Sequence, residues 1–299
     1  MEEIDAAVAR AVDGHMELGL YQDTEAADAD PRRKVPMSVV DSDEHRALAR
    51  QAAREAVVLL KNLEAALPLG GGNNDHINNN LQVSSSASAP LKVAVVGPNA
   101  NRTLTLTSSY SGCKSSAGGP ILPECIFLNP LQGIEAAVAS DPKKFEGGVL
   151  YSQGVDIDSN KTSGISEAVS VAKLADVVIM IGGLITCQET GAECQEAEAR
   201  DRSTPVNADG TLNSSSTTDI GFDYGIGLPG QQELLLQTLA TATNTTIILV
   251  IESGSAVATP WASESPRVSS IVQHFYAGVL GGGGLADILF GLEAPSGRN

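Results

Sequence analysis

Glu196-Ala197-Glu198-Ala199-Arg200-Asp201-Arg202 places three carboxylates and two guanidinium groups within seven residues. A carboxyl group that must carry a proton near neutral pH needs such a mixed setting, in which burial and neighbouring charges push adjacent pKa values apart. Two carboxyl groups tuned differently are the equipment of acid–base catalysis, one giving a proton while the other stays charged. The cluster comes after an apolar run ending in Gly182-Gly183. A long polar gap follows it, and then Gly227-Leu228-Pro229-Gly230-Gln231-Gln232. The plainer alternative for the same residues is a solvated charged loop.

The elements that would position this cluster alternate along the chain. Residues 44–62 carry helical periodicity, with Ala49, Ala52, Ala53, Ala56, Val57 and Leu60 on one face, and 41–43 supply N-cap chemistry. Apolar runs at 92–97, 148–153, 176–183, 246–252 and 269–276 read as strands. Those at 176–183 and 246–252 are apolar on both faces, as a parallel strand between two helical layers must be. Helical patterns at 131–139, 165–174, 229–242 and 283–290 alternate with them. The rhythm predicts an α/β fold with a mostly parallel sheet covered by helices on both faces. Ligands of such sheets gather at the carboxyl ends of the strands, where the run 176–183 hands over to the carboxylate cluster. Two polar tracts, 70–90 and 203–225, read as inserted surface loops, with His76 in the first solvated.

Several blocks resemble glycoside hydrolase family 3. EAEARDR (196–202) with LPGQQELL (228–235) is similar to that family's acid/base loop, most closely in the plant and fungal β-xylosidase/α-arabinofuranosidase branch. HRALARQAAREAVVLLKN (45–62) resembles the helix opening the family's second domain. VAVVGPNAN (93–101) resembles its first strand and NPLQGI (129–134) its next helix start. ILVIESGSAVATPWA (248–262) and GVLGGGGLADILFGLEAPSGR (278–298) resemble its closing segments. IDAAVARAVDGHMELGLYQ (4–22) is similar to the last helix of the barrel that precedes this domain in the family.

The resemblance implies a barrel-derived remnant and linker at 1–40 and the α/β sandwich of the second domain at 41–299. It implies a retaining exo-glycosidase whose nucleophile lies in the barrel, outside this chain. By the family's Glu-Gly-x-Asp-Arg pattern it carries the acid/base role onto Glu198, with Ala199 where the family has Gly, and Glu196 as the next candidate. Asp201 and Arg202 become supports that hold the loop. Tyr110 aligns loosely with an Asn-Tyr-Ala-Gly turn and would line the leaving-group side of the cleft, the alternative being a packed loop tyrosine. The implied partners are an oligosaccharide or aryl glycoside and the barrel domain, with no cofactor and no metal. The competing reading is a catalytically inactive truncated domain that binds sugar weakly or scaffolds.

Composition narrows the classes. The 299 residues are ample for a core at 42 % hydrophobic content, but aromatics are only 4 %, with one Trp, so a complete sugar cleft is not expected. A net charge of −17 argues against nucleic acid and anionic membranes. No run approaches a membrane span, and the acidic start does not read as a secretory signal. The implied parent protein is nonetheless expected to be secreted, which four sequons, at Asn101, Asn160, Asn213 and Asn244, would suit. Four cysteines allow three pairings; local pairs, Cys113 with Cys125 and Cys187 with Cys194, would staple two loops, whereas a zinc site lacks the spacing. The glycines at 281–284 lack the lysine of a phosphate loop and read as a close-packed strand-to-helix turn. Trp261 and His274 read as core or loop residues.

Overall fold

The computed structural model describes residues 2–21, 29–39, 41–70, 90–107, 126–185 and 226–298. The chain forms two compact units, Met1–Arg46 and Ala47–Asn299. In the first, helix α1 (Glu2–Glu17) spaces Ile4, Val8, Val12 and Met16 four apart, all exposed. Helix α2 (Asp43–Ala56) begins after Ser42, whose Oγ accepts from the His45 amide at 3.3 Å.

The second unit is built on six strands: β1 (Val58–Asn62), β2 (Leu91–Val96), β3 (Phe145–Ser152), β4 (Val177–Gly183), β5 (Thr246–Glu252) and β6 (Val268–Gln273). Their order across the sheet is β1-β6-β5-β4-β2-β3. All pairs are parallel except β1 with β6. The expected mostly parallel sheet is therefore present, with strand centres where the apolar runs put them. One expectation fails. The helical periodicity over 44–62 breaks at Ala56, and Val58–Asn62 is an antiparallel edge strand. Val57, Val58 and Leu59 are β-branched or apolar in succession, and pairing with β6 offers them a ladder and a core that a continued helix would not.

Helices α3 (Leu104–Thr107), α4 (Pro130–Ser140), α5 (Ile165–Ala172), α6 (Gln232–Ala242), α7 (Pro260–Glu264) and α8 (Gly281–Leu289) connect or follow the strands. Strand alternation sorts the core into two layers. Val93, Val95, Val177, Ile179, Ile181, Ile248 and Val250 face α4 and α8 through Leu131, Ile134, Leu285 and Ile288. Ala94, Val178, Met180, Leu249 and Ile251 face α5, α6 and α7 through Ala168, Leu235, Leu239 and Ala262. All seven residues of β4 and of β5 are buried, which is why neither run shows a polar alternate. Each large aliphatic side chain so buried contributes about 1.5–3 kcal/mol.

Local chemistry starts and seats the helices. Asn129 caps α4 reciprocally: its Oδ1 accepts from Gln132 N, and Gln132 Oε1 accepts from Asn129 N, both at 3.0 Å, with Pro130 at the first helical position. Asp287 of α8, nearly buried, takes both prongs of Arg50 from α2 at 2.8 and 2.5 Å. The run 281–284, expected from the sequence as a close-packed strand-to-helix turn, is close-packed but forms the first turn of α8 itself. A Cβ on Gly133 would land on the Gly282 carbonyl, and one on Gly282 on the Asn129 carbonyl, so α4 and α8 meet backbone to backbone. Gly282→Ala should lower stability by about 1–3 kcal/mol in a denaturant melt, the cost of overpacking. Gly227→Ala, where a Cβ has open space, should be close to neutral.

Candidate functional site

The strand order locates a site before any side chain is considered. From β2 the chain passes through α4 on one face to β3 on one side, then through α5 on the other face to β4 on the opposite side of β2. The connections leaving the carboxyl ends of the neighbours β2 and β4 thus diverge to opposite faces, and the crevice between them is where an open α/β sheet takes a ligand.

At this crevice the backbones approach too closely for side chains. Gly97, at φ +114°, directly follows β2, and a Cβ there would strike the Ile181 carbonyl oxygen. Gly183, at φ +132°, ends β4, and its Cβ would strike the Glu252 carbonyl oxygen. The space left is filled by hydrogen bonds. Asn99, fully buried, sends its amide Nδ2 to the Leu184 carbonyl at 3.0 Å. The Leu184 amide donates to the Glu252 carbonyl at 2.8 Å. Gln232, also fully buried at the start of α6, accepts from Gly183 N at 2.8 Å through Oε1. Its Nε2 donates to the carbonyls of Gly183 at 2.9 Å and Ile157 at 2.8 Å. One amide therefore ties together the end of β4, the loop after β3 and the first turn of α6.

Beside it lies a buried ion-pairable couple. Glu252 Oε1 and His274 Nδ1 are 3.1 Å apart, and His274 Nε2 donates to the Gly281 carbonyl at 3.0 Å. Neither side chain has any exposed surface. Burial pushes the Glu252 carboxyl up, opposed in part by His274 and by the neighbouring Asn99 amide. Glu252 Oε2 and Asn99 Oδ1 are buried without a hydrogen-bond partner among the described residues, which favours the neutral acid. A carboxyl held in its protonated form resembles a proton donor, but with no surface open to a substrate this pair acts on the structure, joining the ends of β5 and β6 to α8.

The site residues expected from the sequence are not among those described. Glu196, Glu198, Asp201 and Arg202 fall in 186–225, and Tyr110 in 108–125, all outside the described residues; so do the four cysteines. The described chain reaches Ile185 at the carboxyl end of β4 and resumes at Ile226, whose carbonyl accepts from Ala258 N at 2.6 Å. Sequence reasoning passed over Asn99, Gln232 and Glu252 as site residues. A signal did exist for the last, since a carboxylate ending the otherwise apolar run Thr246–Glu252 is unusual. His274 was expected in a core or loop, and it is core. Among the described residues, no group of His, Cys, Asp and Glu could hold a metal ion.

Because folding raises the Glu252 pKa, the native state binds that proton more tightly than the unfolded chain. The stabilisation is complete below the unfolded value, 4.5, and is lost as pH climbs through the higher folded value. Glu252→Gln removes the titration, so thermal melts should show the variant gaining on the wild type as pH rises above 4.5. A pH-independent difference would place the charge of Glu252 in doubt as the source.

Comparison with known proteins agrees with this architecture. Residues 57–299 match the family model described as glycosyl hydrolase family 3 C-terminal domain. The chain is 30 % identical over 302 residues to the probable beta-D-xylosidase 6 of Arabidopsis thaliana, covering 99 % of this chain and 30 % of that protein. It is likewise 30 % identical over 302 residues to the beta-xylosidase/alpha-L-arabinofuranosidase 1 of Medicago sativa subsp. varia, covering 98 % and 30 %. The solved structure of a GH3 exo-beta-xylosidase (XlnD), in complex with a xylobiose aziridine activity-based probe, superposes with a TM-score of 0.62 at 29 % identity. The match covers 91 % of this chain and 27 % of that one. The chain thus spans about 30 % of the length of the curated relatives it matches. With six strands in this order between two helical layers and the family's motifs in sequence along it, the chain belongs to glycosyl hydrolase family 3, whose C-terminal domain it carries.

Proposed function

We propose that this chain is the C-terminal part of a retaining, exo-acting glycosidase of the β-xylosidase type, acting on xylan-derived or related oligosaccharides. The observation that carries the proposal is the family match over 57–299 together with β-xylosidase relatives that extend through nearly the whole chain. Glu198 is the general acid/base, with Glu196 the alternative. Asp201 and Arg202 hold the segment, and Tyr110 lines the leaving-group side. The nucleophile belongs to a barrel domain outside this chain, and the parent protein is secreted.

In the reaction so assigned, a carboxylate of the barrel attacks the anomeric carbon while Glu198 protonates the departing glycosidic oxygen. Glu198, now a base, then takes a proton from the water that hydrolyses the glycosyl–enzyme ester. The role of the present domain is to deliver the acid to a site built largely by another. Its geometry supports that division. The segment 186–225 is rooted at the carboxyl ends of β4 and at Ile226, beside the crevice where α/β sheets act. The connections that follow β2 and β4 also expose Leu104, Ile126 and Ile226, an apolar set suited to covering by a second body.

The purified chain should not turn over an aryl β-xyloside above a Glu198→Gln control, since one carboxyl cannot be both nucleophile and proton donor. Activity should appear when the chain is joined to the N-terminal two-thirds of a plant relative. In that joined protein, Glu198→Gln should slow xylobiose hydrolysis by about 10²–10⁴-fold, the usual worth of general acid–base catalysis. An aryl xyloside with an activated leaving group should lose far less at the glycosylation step. Equal losses on both substrates would transfer the role to Glu196, and turnover by the isolated chain would remove the need for a barrel.

A further inference from the structure

The four sequons divide by the topology of the sheet. Asn101 follows β2 and Asn160 follows β3, so both stand at carboxyl ends of strands. Asn213 lies in the connection after β4, outside the described residues. Asn244 alone precedes a strand: it sits between α6 and β5, at the amino edge of the sheet, away from the crevice. Asn101 is also engaged, its Oδ1 accepting from Asn129 Nδ2 at 3.0 Å beside the cap of α4.

The turn around Asn244 is built to hold that side chain outward. Thr243 and Thr245 on either side are buried, while Asn244 is exposed. Thr243 Oγ1 donates to the Leu239 carbonyl at 2.8 Å, and Thr245 Oγ1 to the Ala172 carbonyl at 3.2 Å. Arg267 fixes the carbonyls of Ala240 at 3.1 Å and Thr243 at 2.5 Å. A bulky group on Asn244 would therefore project from a fixed backbone without disturbing the core. Next to it is a shallow recess of about 270 Å³, with Lys173, Asp176 and Ala242 on its wall.

We infer that Asn244 is a carrier of N-linked oligosaccharide, the modification that Asn244-Thr245-Thr246 encodes. The donor is a lipid-linked oligosaccharyl diphosphate. The bond from sugar C1 to the diphosphate oxygen breaks, a bond from C1 to Asn244 Nδ2 forms, and the lipid diphosphate leaves. The proton from Nδ2 passes to a base of the transferase. At this edge the oligosaccharide shields the loop between α6 and β5 and leaves the opposite edge open. The inference rests on the proposed secretion of the parent protein and not on which carboxylate is catalytic.

The test is to produce the chain behind a secretory leader in a eukaryotic host. Microsomal and secreted protein would be released with an N-glycanase in ¹⁸O-water and cut finely enough to separate Asn213 from Asn244. The expected result is ¹⁸O-labelled aspartate at position 244, together with loss of one oligosaccharide mass in Asn244→Gln. That variant changes only an exposed side chain, so its melting temperature should match the deglycosylated parent. Unmodified asparagine at 244 in both pools, or an unchanged glycoprotein mass in Asn244→Gln, would overturn the inference.

Discussion

The amide of Gln232 is the contact on which the carboxyl edge of the sheet depends. Gly183 presents both an N–H and a C=O to the interior at the point where β4 stops, and neither is used by the sheet ladder. A side chain that meets both must be a donor and an acceptor at once, neutral and planar, and Gln232 is that, with its second N–H spent on Ile157. The requirement propagates outward. Gly182 cannot carry a Cβ, because it would fall on Gln232 Oε1. The first turn of α6 cannot slide relative to β4 without leaving buried polar groups unpaired, at about 1–3 kcal/mol each. Both roots of the segment 186–225 are thereby referred to one fixed point.

The two ends of the strands are built on different physics. Toward their amino ends and middles, β4 and β5 are apolar apart from Thr246, and close packing sets their positions together with the ladder between them. At the carboxyl ends the interior turns polar, with Asn99, Gln232, Glu252, Gln273 and His274 all buried. Polar groups that are bonded to one another in a low-dielectric setting allow few alternative arrangements. The cost is visible in Glu252 Oε2 and Asn99 Oδ1, which lack donors among the described residues.

Much of this architecture was legible in the sequence, and the reason is the parallel sheet. Strands buried on both faces must be uninterrupted apolar runs, so Val177–Gly183 and Thr246–Glu252 stand out against their surroundings. The edge strand Val58–Asn62 was hidden because it directly continues a helix whose alanines extend its periodicity up to the break. Nothing local separates the two; the pairing with β6, some two hundred residues away, does. The polar clasp was illegible for a related reason. Asn99, Gln232 and His274 are ordinary residues in sequence and become partners only when four strand ends converge. The carboxylate cluster at 196–202 was read from the sequence as acid–base chemistry, and its residues fall outside the described residues.

By itself, the described carboxyl edge offers a sugar little to bind. Recognition of a pyranose requires hydrogen-bonding groups and ring faces that are free to meet it. At the described carboxyl edge, the polar side chains of Gln232, Glu252 and His274 are bound to one another or to the backbone, and none is exposed. Among the described residues of the connections after β2 and β4, those exposed are the aliphatic Leu104, Ile126 and Ile226 together with Asn101, whose side chain is bonded to Asn129. Aliphatic surface next to a rigid polar floor discriminates poorly among sugars but suits burial against another protein surface, where the hydrophobic term is large and non-directional. This sheet edge therefore contributes fixed backbone at both roots of the segment 186–225.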